Sequence, residues 1–317
     1  MKRFLVNICI LALMVIPLLY ALDYAVTNGL RKSKQEEFAV WNDIYDSKIN
    51  ADVLIMGSSK ARMMVSPFTL QEALHLTSYN IGMDSWQFSM QYARFRVYLQ
   101  HNRKPSYIIQ VIDIPFFSDR TDLYDAVQFI PYLHDTIISN ITSHYTGRFT
   151  TAEKYLPFFK YNQHLSLIKE GLNRYFDPFQ LYKGSGRRGY HPYQLTWDSS
   201  FDHFKRDNPH GIRIGITKRV LDEYDAYLHY CKANNIKVIM VYTPVYYEEP
   251  AYINNAAEIK GLFTTLSQKY DMPIIDNSND TLSLHKKYFF NSQHMNKTGA
   301  DIYGPMLAEE VKRIIQK

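Results

Sequence analysis

The chain has 317 residues, 46% hydrophobic and 21% charged, with a formal net charge of +5. That balance describes a folded globular protein rather than a disordered one. Its basic residues form no Lys/Arg block, so no nucleic-acid partner is expected. The two cysteines, Cys9 and Cys231, stand outside any CxxC or Cys/His spacing, so neither a disulfide framework, a metal centre nor a cofactor is expected.

At the N-terminus, Lys2 and Arg3 precede a stretch without charge from Phe4 to Leu22. As a helix it is long enough to cross about 30 Å of hydrocarbon. It exits through LLYALDYAV with no small-residue cleavage site, which favours a retained anchor over residues 1–26. The short basic N-terminus points to cytoplasm-in orientation, with a large domain on the extracytoplasmic side, although Arg31, Lys32 and Lys34 reduce the asymmetry. Residues 27–50 are polar and helix-forming, a stalk leading to a domain over 51–317.

Ala51–Gly57 is a short apolar run ending at glycine, the pattern of a buried parallel strand. Ser78–Gly82 and Tyr107–Asp113 are further strand candidates, separated by helical spacing from Trp86 to Gln100. Residues 116–214 interrupt the alternation with an aromatic, mostly helical insertion, too long to be an unstructured loop. It contains GSGRRGYHP (Gly184–Pro192), expected to be a solvated loop. The alternation resumes with a helical stripe from Ile216 to Cys231, a strand at Ile236–Thr243, and a second stripe from Ile259 to Tyr270. A strand at Pro273–Asn277 and a last helix follow. Five strands separated by helices predict an α/β fold with a parallel sheet covered on both faces. The 26 Tyr and 18 Phe suit an aromatic core or the stacking walls of a sugar cleft, the core being the commoner use.

In such sheets, sites lie beyond the carboxyl ends of the strands. Gly57-Ser58-Ser59 follows the first strand, where a serine either caps the next helix or serves as a nucleophile beside backbone N–H groups that can hold an anion. His294, in NSQHMNKTGADIYG before the final helix, offers the imidazole that a serine needs as base. Asn291 stands three residues earlier, placed to orient that ring or to cap its turn. Asp113 ends the third strand and is expected to cap the turn after it. Asp276 is expected to be structural.

Together these segments resemble the first and last sequence blocks of the SGNH (GDSL-type) hydrolase family. Gly57-Ser58-Ser59 matches its G-x-S block, and Asn291-Ser292-Gln293-His294 matches its D-x-x-H block. The resemblance implies a flavodoxin-like α/β/α three-layer sandwich, with Ser59 as nucleophile and His294 as base. It also implies an oxyanion hole formed by the N–H groups of Ser59 and Gly82, the latter from Asn80-Ile81-Gly82. It covers about residues 50–115 and 215–317. Two positions depart from the family: VIDIPFF has no asparagine where the family's G-x-N-D block has one, and Asn291 replaces an aspartate. Within the family, the anchored architecture and GSSKARMMVSP are similar to the D-alanyl-teichoic-acid transfer and alginate O-acetylation proteins. That implies a serine esterase or O-acyltransferase working on acyl, notably acetyl, esters of a cell-surface polysaccharide. A glycan-binding scaffold that keeps the fold without catalysis is the alternative.

Overall fold

The structure, a computed structural model, describes residues 1–177 and 186–316. In chain order its helices and strands are α1 (Lys2–Leu30), α2 (Glu36–Tyr45), β1 (Val53–Met56), α3 (Ser59–Met64), α4 (Pro67–Leu74), β2 (Ser78–Asn80), α5 (Phe88–His101) and β3 (Tyr107–Ile112). There follow α6 (Thr136–Thr142), α7 (Thr151–Tyr155), α8 (Leu165–Phe176), α9 (Ser200–Asp207), α10 (Lys218–Ala233), β4 (Lys237–Tyr242), α11 (Ala256–Tyr270), β5 (Ile274–Asp276) and α12 (Lys297–Ile315). They divide between two compact units. A helical unit joins Met1–Asp46 to Thr121–Gly186, and an α/β unit joins Ser47–Arg120 to Arg187–Lys317.

The α/β unit is built on five parallel strands in the order β2-β1-β3-β4-β5, the flavodoxin-like winding. Side chains alternate between the two faces of the strands. Val53, Ile55, Ile109, Val111, Ile239 and Val241 pack with Tyr303, Leu307 and Val311 of α12 in one core. The other face is aromatic. Phe88 of α5 lies edge-on to Tyr224 of α10, and Phe116 packs edge-on to Phe263 of α11, while the Tyr227 hydroxyl reaches Met56 on β1. In this unit the high aromatic content therefore goes largely into the core. The order reverses between β1 and β3, and ligands bind at such switch points.

The helical unit contains α1, whose N-terminal part is exposed and is long and apolar enough to cross a membrane. Its C-terminal part is packed: Ala25, Val26, Gly29 and Leu30 are buried. Helix α1 crosses α8 at Gly29 and Gly171, so closely that a Cβ on Gly29 would lie 1.7 Å from the Gly171 carbonyl oxygen. Asp23, the first charge after the apolar stretch, pairs with Lys160 at 3.0 Å and accepts the Phe158 N–H at 2.7 Å. Trp41 on α2 packs against Phe129 and Tyr132 and donates its indole N–H to Gln128 at 3.1 Å. Most of the segment expected as a stalk, residues 27–50, thus lies inside a packed unit. The region expected as one insertion, residues 116–214, is shared between the two units, changing unit at Thr121 and after Gly186.

Candidate active site

Chain geometry at the end of β1 sets Ser59 in place. Gly57 has φ +147°, and a Cβ there would come within 2.8 Å of both Ala61 Cβ and Val111 Cβ, so the turn requires glycine. Ser58 is the N-cap of α3, and its hydroxyl donates to Asp113 Oδ2 at 2.7 Å. That bond ties the turn after β1 to the end of β3. The two neighbouring serines differ in their contacts. Ser58 caps and anchors, while Ser59 begins the helix with its Oγ 2.7 Å from His294 Nε2. Asp113 does not cap the turn that follows it, contrary to expectation, because its carboxylate is engaged by Ser58.

His294 is held from its other nitrogen. Nδ1 lies 3.0 Å from Asn291 Oδ1, and the same oxygen accepts the backbone N–H of Gln293 at 3.0 Å and of His294 at 2.9 Å. Three donors converge on it, which identifies that atom as the amide oxygen. The two roles considered for Asn291, turn cap and ring orienter, are carried by one atom. With Nδ1–H donating to it, Nε2 keeps a lone pair for the Ser59 hydroxyl. Phe290 stacks on the imidazole at 5.4 Å with 10° between planes. Desolvation of the ring, with the Lys60 ammonium adding to it, pushes its pKa down to about 3. Asp276 lies outside this constellation, paired with Lys260 at 2.8 Å and bonded to Ser278.

The loop after β2 braces α3, the helix that Ser59 begins. Asn80 is fully buried, and its amide N–H groups donate to the carbonyls of Ala61 at 2.7 Å and Val65 at 2.9 Å, closing the end of α3. Its side-chain oxygen accepts the Gly82 N–H at 2.8 Å. The Gly82 N–H is therefore already engaged within the chain, whereas the Ser59 N–H belongs to the first helical turn, where no intrahelical acceptor exists. A Cβ on Gly82 would meet Arg62 N at 2.9 Å, so glycine there permits close approach of the β2 loop to α3. Asn80 was not singled out from the sequence. A buried asparagine two residues before a glycine leaves no periodic trace.

Two further surroundings emerge only in three dimensions. Residues 187–198 run across the site, with Arg188 O accepting from Asn80 N at 3.0 Å, His191 N donating to Arg62 O at 2.9 Å and Asp198 N to Phe290 O at 2.8 Å. Arg188 also bonds Gln71 Oε1 at 2.5 Å. The solvated loop expected at Gly184–Pro192 is thus docked from Arg188 onward, because its backbone groups find partners on both the α3 and His294 sides; Gly184 and Ser185 lie outside the described residues. Beside the His294 loop, Glu249 is buried and accepts from Gln293 Nε2 at 3.2 Å. Burial raises its carboxyl above the usual range, against the pull of Lys60 and of the Gln293 bond and with the Asp113 carboxylate adding. Among the described residues no cluster of His, Cys, Asp or Glu suits a metal ion.

No known protein family matches the chain, and no curated protein matches it. Among solved structures, a protein of Bacteroides fragilis NCTC 9343 provisionally named an acylhydrolase aligns with a TM-score of 0.37 and 15% sequence identity, covering 83% of this chain and 86% of that chain. Nothing in these comparisons points to the surface-polymer subgroup suggested by the sequence. The assignment of the α/β unit rests on its own strand order and parallel pairing.

Proposed function

We propose that the chain is a membrane-anchored, extracytoplasmic serine esterase or O-acyltransferase acting on acyl esters of cell-surface glycans. The observation that carries this reading is the Ser59 Oγ–His294 Nε2 distance of 2.7 Å, with Nδ1 fixed on Asn291. A serine hydroxyl becomes a useful nucleophile only beside a base, and an imidazole held in one tautomer is such a base.

In this reading Ser59 Oγ bonds to the ester carbonyl carbon while its proton passes to His294 Nε2. The carbonyl oxygen becomes an oxyanion at the start of α3, where the Ser59 N–H and the positive end of the helix oppose its charge. The Gly82 N–H contributes only by sharing its bond to Asn80. As the intermediate collapses, the ester C–O bond breaks and His294 returns the proton to the departing alkoxide. Water or a sugar hydroxyl then attacks the acyl-serine, again losing its proton to Nε2, and Ser59 is restored. Asn291 is a positioning residue. It fixes the ring in the productive tautomer but brings no charge to stabilise imidazolium.

A non-catalytic glycan-binding scaffold is favoured by that missing carboxylate and by the engaged Gly82 N–H. A fluorophosphonate probe and p-nitrophenyl acetate separate the readings. The enzyme is labelled at Ser59, and Ser59→Ala loses labelling and about 10⁴-fold or more of kcat/KM. No hydrolysis by the wild type above the uncatalysed rate, with no label on Ser59, would leave the scaffold standing.

A further inference from the structure

Next to the His294 loop, the α/β unit opens into a cleft of about 330 Å³, at the lower end of the roughly 300–1,000 Å³ of small-molecule sites. Its walls are hydrocarbon: Ile114 and Pro115 after β3, Phe201 and Phe204 on α9, and Ile212 and Ile253. Ile212 and Ile253 are held side by side by a parallel bridge, and the two phenylalanine rings stack at 6.2 Å. The rest of the lining is polar: Ser200 at the start of α9, Glu249 bonded to Gln293, and Asn291 to Gln293 of the turn that holds His294. Asn291 therefore touches the imidazole and also lines the cleft.

A glycan subsite needs hydroxyl partners and open aromatic faces. Seven of the twelve residues lining this cleft are apolar, four of them isoleucine; its two phenylalanine rings stack on each other, and its carboxyl group is displaced by burial toward the neutral form. An acetyl group would leave most of that volume to water against apolar walls, which is unfavourable. The walls match an unbranched hydrocarbon chain instead.

We infer that the cleft is the acyl-chain site, and that the ester taken by this protein carries a medium-length hydrocarbon acyl group rather than acetyl. The inference rests on the serine reading above for the placement of the carbonyl at Ser59. The alcohol side of the ester then lies away from the cleft, so chain length is selected independently of the glycan. Segment 200–214 sets that length, because α9 and Ile212 form the walls that no strand supplies.

The test is a chain-length series of p-nitrophenyl acetate, butyrate, octanoate and dodecanoate with the full-length protein in lipid nanodiscs. Each methylene buried should raise kcat/KM by about fourfold. Octanoate should exceed acetate by at least about tenfold, with a fall at dodecanoate when the chain outgrows the cleft. Ile212→Trp fills the cleft and should lower the octanoate-to-acetate ratio about tenfold. Phe204→Ala enlarges it and should move the optimum to dodecanoate. Misfolding cannot produce these opposite shifts. A ratio that favours acetate, or that is the same in both variants as in wild type, overturns the inference. Calorimetric titration of the Ser59→Ala protein with ethyl octanoate distinguishes its failure from that of the serine reading. Binding that weakens in Ile212→Trp, with no ester hydrolysed by wild type, removes the nucleophile and keeps the cleft. Acetate hydrolysis at Ser59 without octanoate binding removes the cleft and keeps the nucleophile.

Discussion

In the α/β unit, side-chain amides and hydroxyls join elements at the carboxyl ends of strands, beside close backbone approaches at Gly57 and Gly82. In the helical unit α1 and α8 meet through glycine, and aromatic rings pack beside the hydrogen bonds of Asp23 and Trp41. Asn80 links β2 to the end of α3, Ser58 links β1 to β3, and Asn291 links a turn to an imidazole. Gly29 and Gly171, by contrast, bring two helices together with nothing between their backbones, and Trp41, Tyr45 and Tyr132 form a stacked cluster around Arg31. Directional bonds position atoms to fractions of an ångström, as a reacting pair requires. Close packing supplies contact without aiming any group. The carboxyl end of the sheet is held by directional bonds, and the meeting of α1 with α8 by backbone packing.

The largest effect is expected at the helix crossing. Gly29→Leu drives a side chain into the Gly171 backbone and should destabilise the helical unit by on the order of 4 kcal/mol. Hydrogen exchange should rise across α8 while β3 and β4 stay protected. Loss of protection in both would show that the two units share one unfolding transition, and the contrast drawn here would fail.

Asn80→Ala is the counterpart in the α/β unit. It strands the Ala61 and Val65 carbonyls and the Gly82 N–H, a cost of about 3 kcal/mol. It should lower the melting temperature and slow Ser59 labelling more than the stability loss alone explains, since α3 loses its fixed end. Labelling that tracks stability alone would make Asn80 a packing residue like those of the helical unit.

Asn291→Asp sharpens the electrostatic side. A carboxylate on Nδ1–H favours imidazolium, so the pKa of His294 rises from about 3. The base must be neutral to act, so the acid limb of kcat/KM moves to higher pH. On the plateau above it, turnover should increase by roughly tenfold because the imidazolium formed during attack is stabilised. Superimposable pH profiles would show that Asn291 acts on the turn and not on the ring.

The sequence made the sheet legible and much of the wiring invisible. All five strands lie within the runs that periodicity marks, because strands buried on both faces are continuous apolar runs bounded by turns. Ser59, His294 and Asn291 were accessible because each sits at an element boundary, where chemistry and capping residues concentrate. The Asn80 bracket, the Ser58–Asp113 bond and the strap at 187–198 were not, since nothing in the local sequence of one partner marks the other. The helical unit was hidden for the same reason: its core pairs α1 and α2 with residues beyond Thr121. A polar helix followed by aromatic segments carries no mark of which partner it will meet.

Beyond Pro17, helix α1 runs on without a further break to Leu30, and this has a mechanical consequence. A helix that passes from an apolar stretch into a packed bundle without a joint between them has no swivel there. The segment from Asp23 to Leu30, roughly 10 Å at about 1.5 Å per residue, would fix both the height and the rotation of the helical unit relative to the bilayer. Turning one would turn the other. A protease that cut just after Leu22 would separate the apolar stretch and leave the glycine crossing intact, while a cut beyond Gly29 would take the crossing away with that stretch.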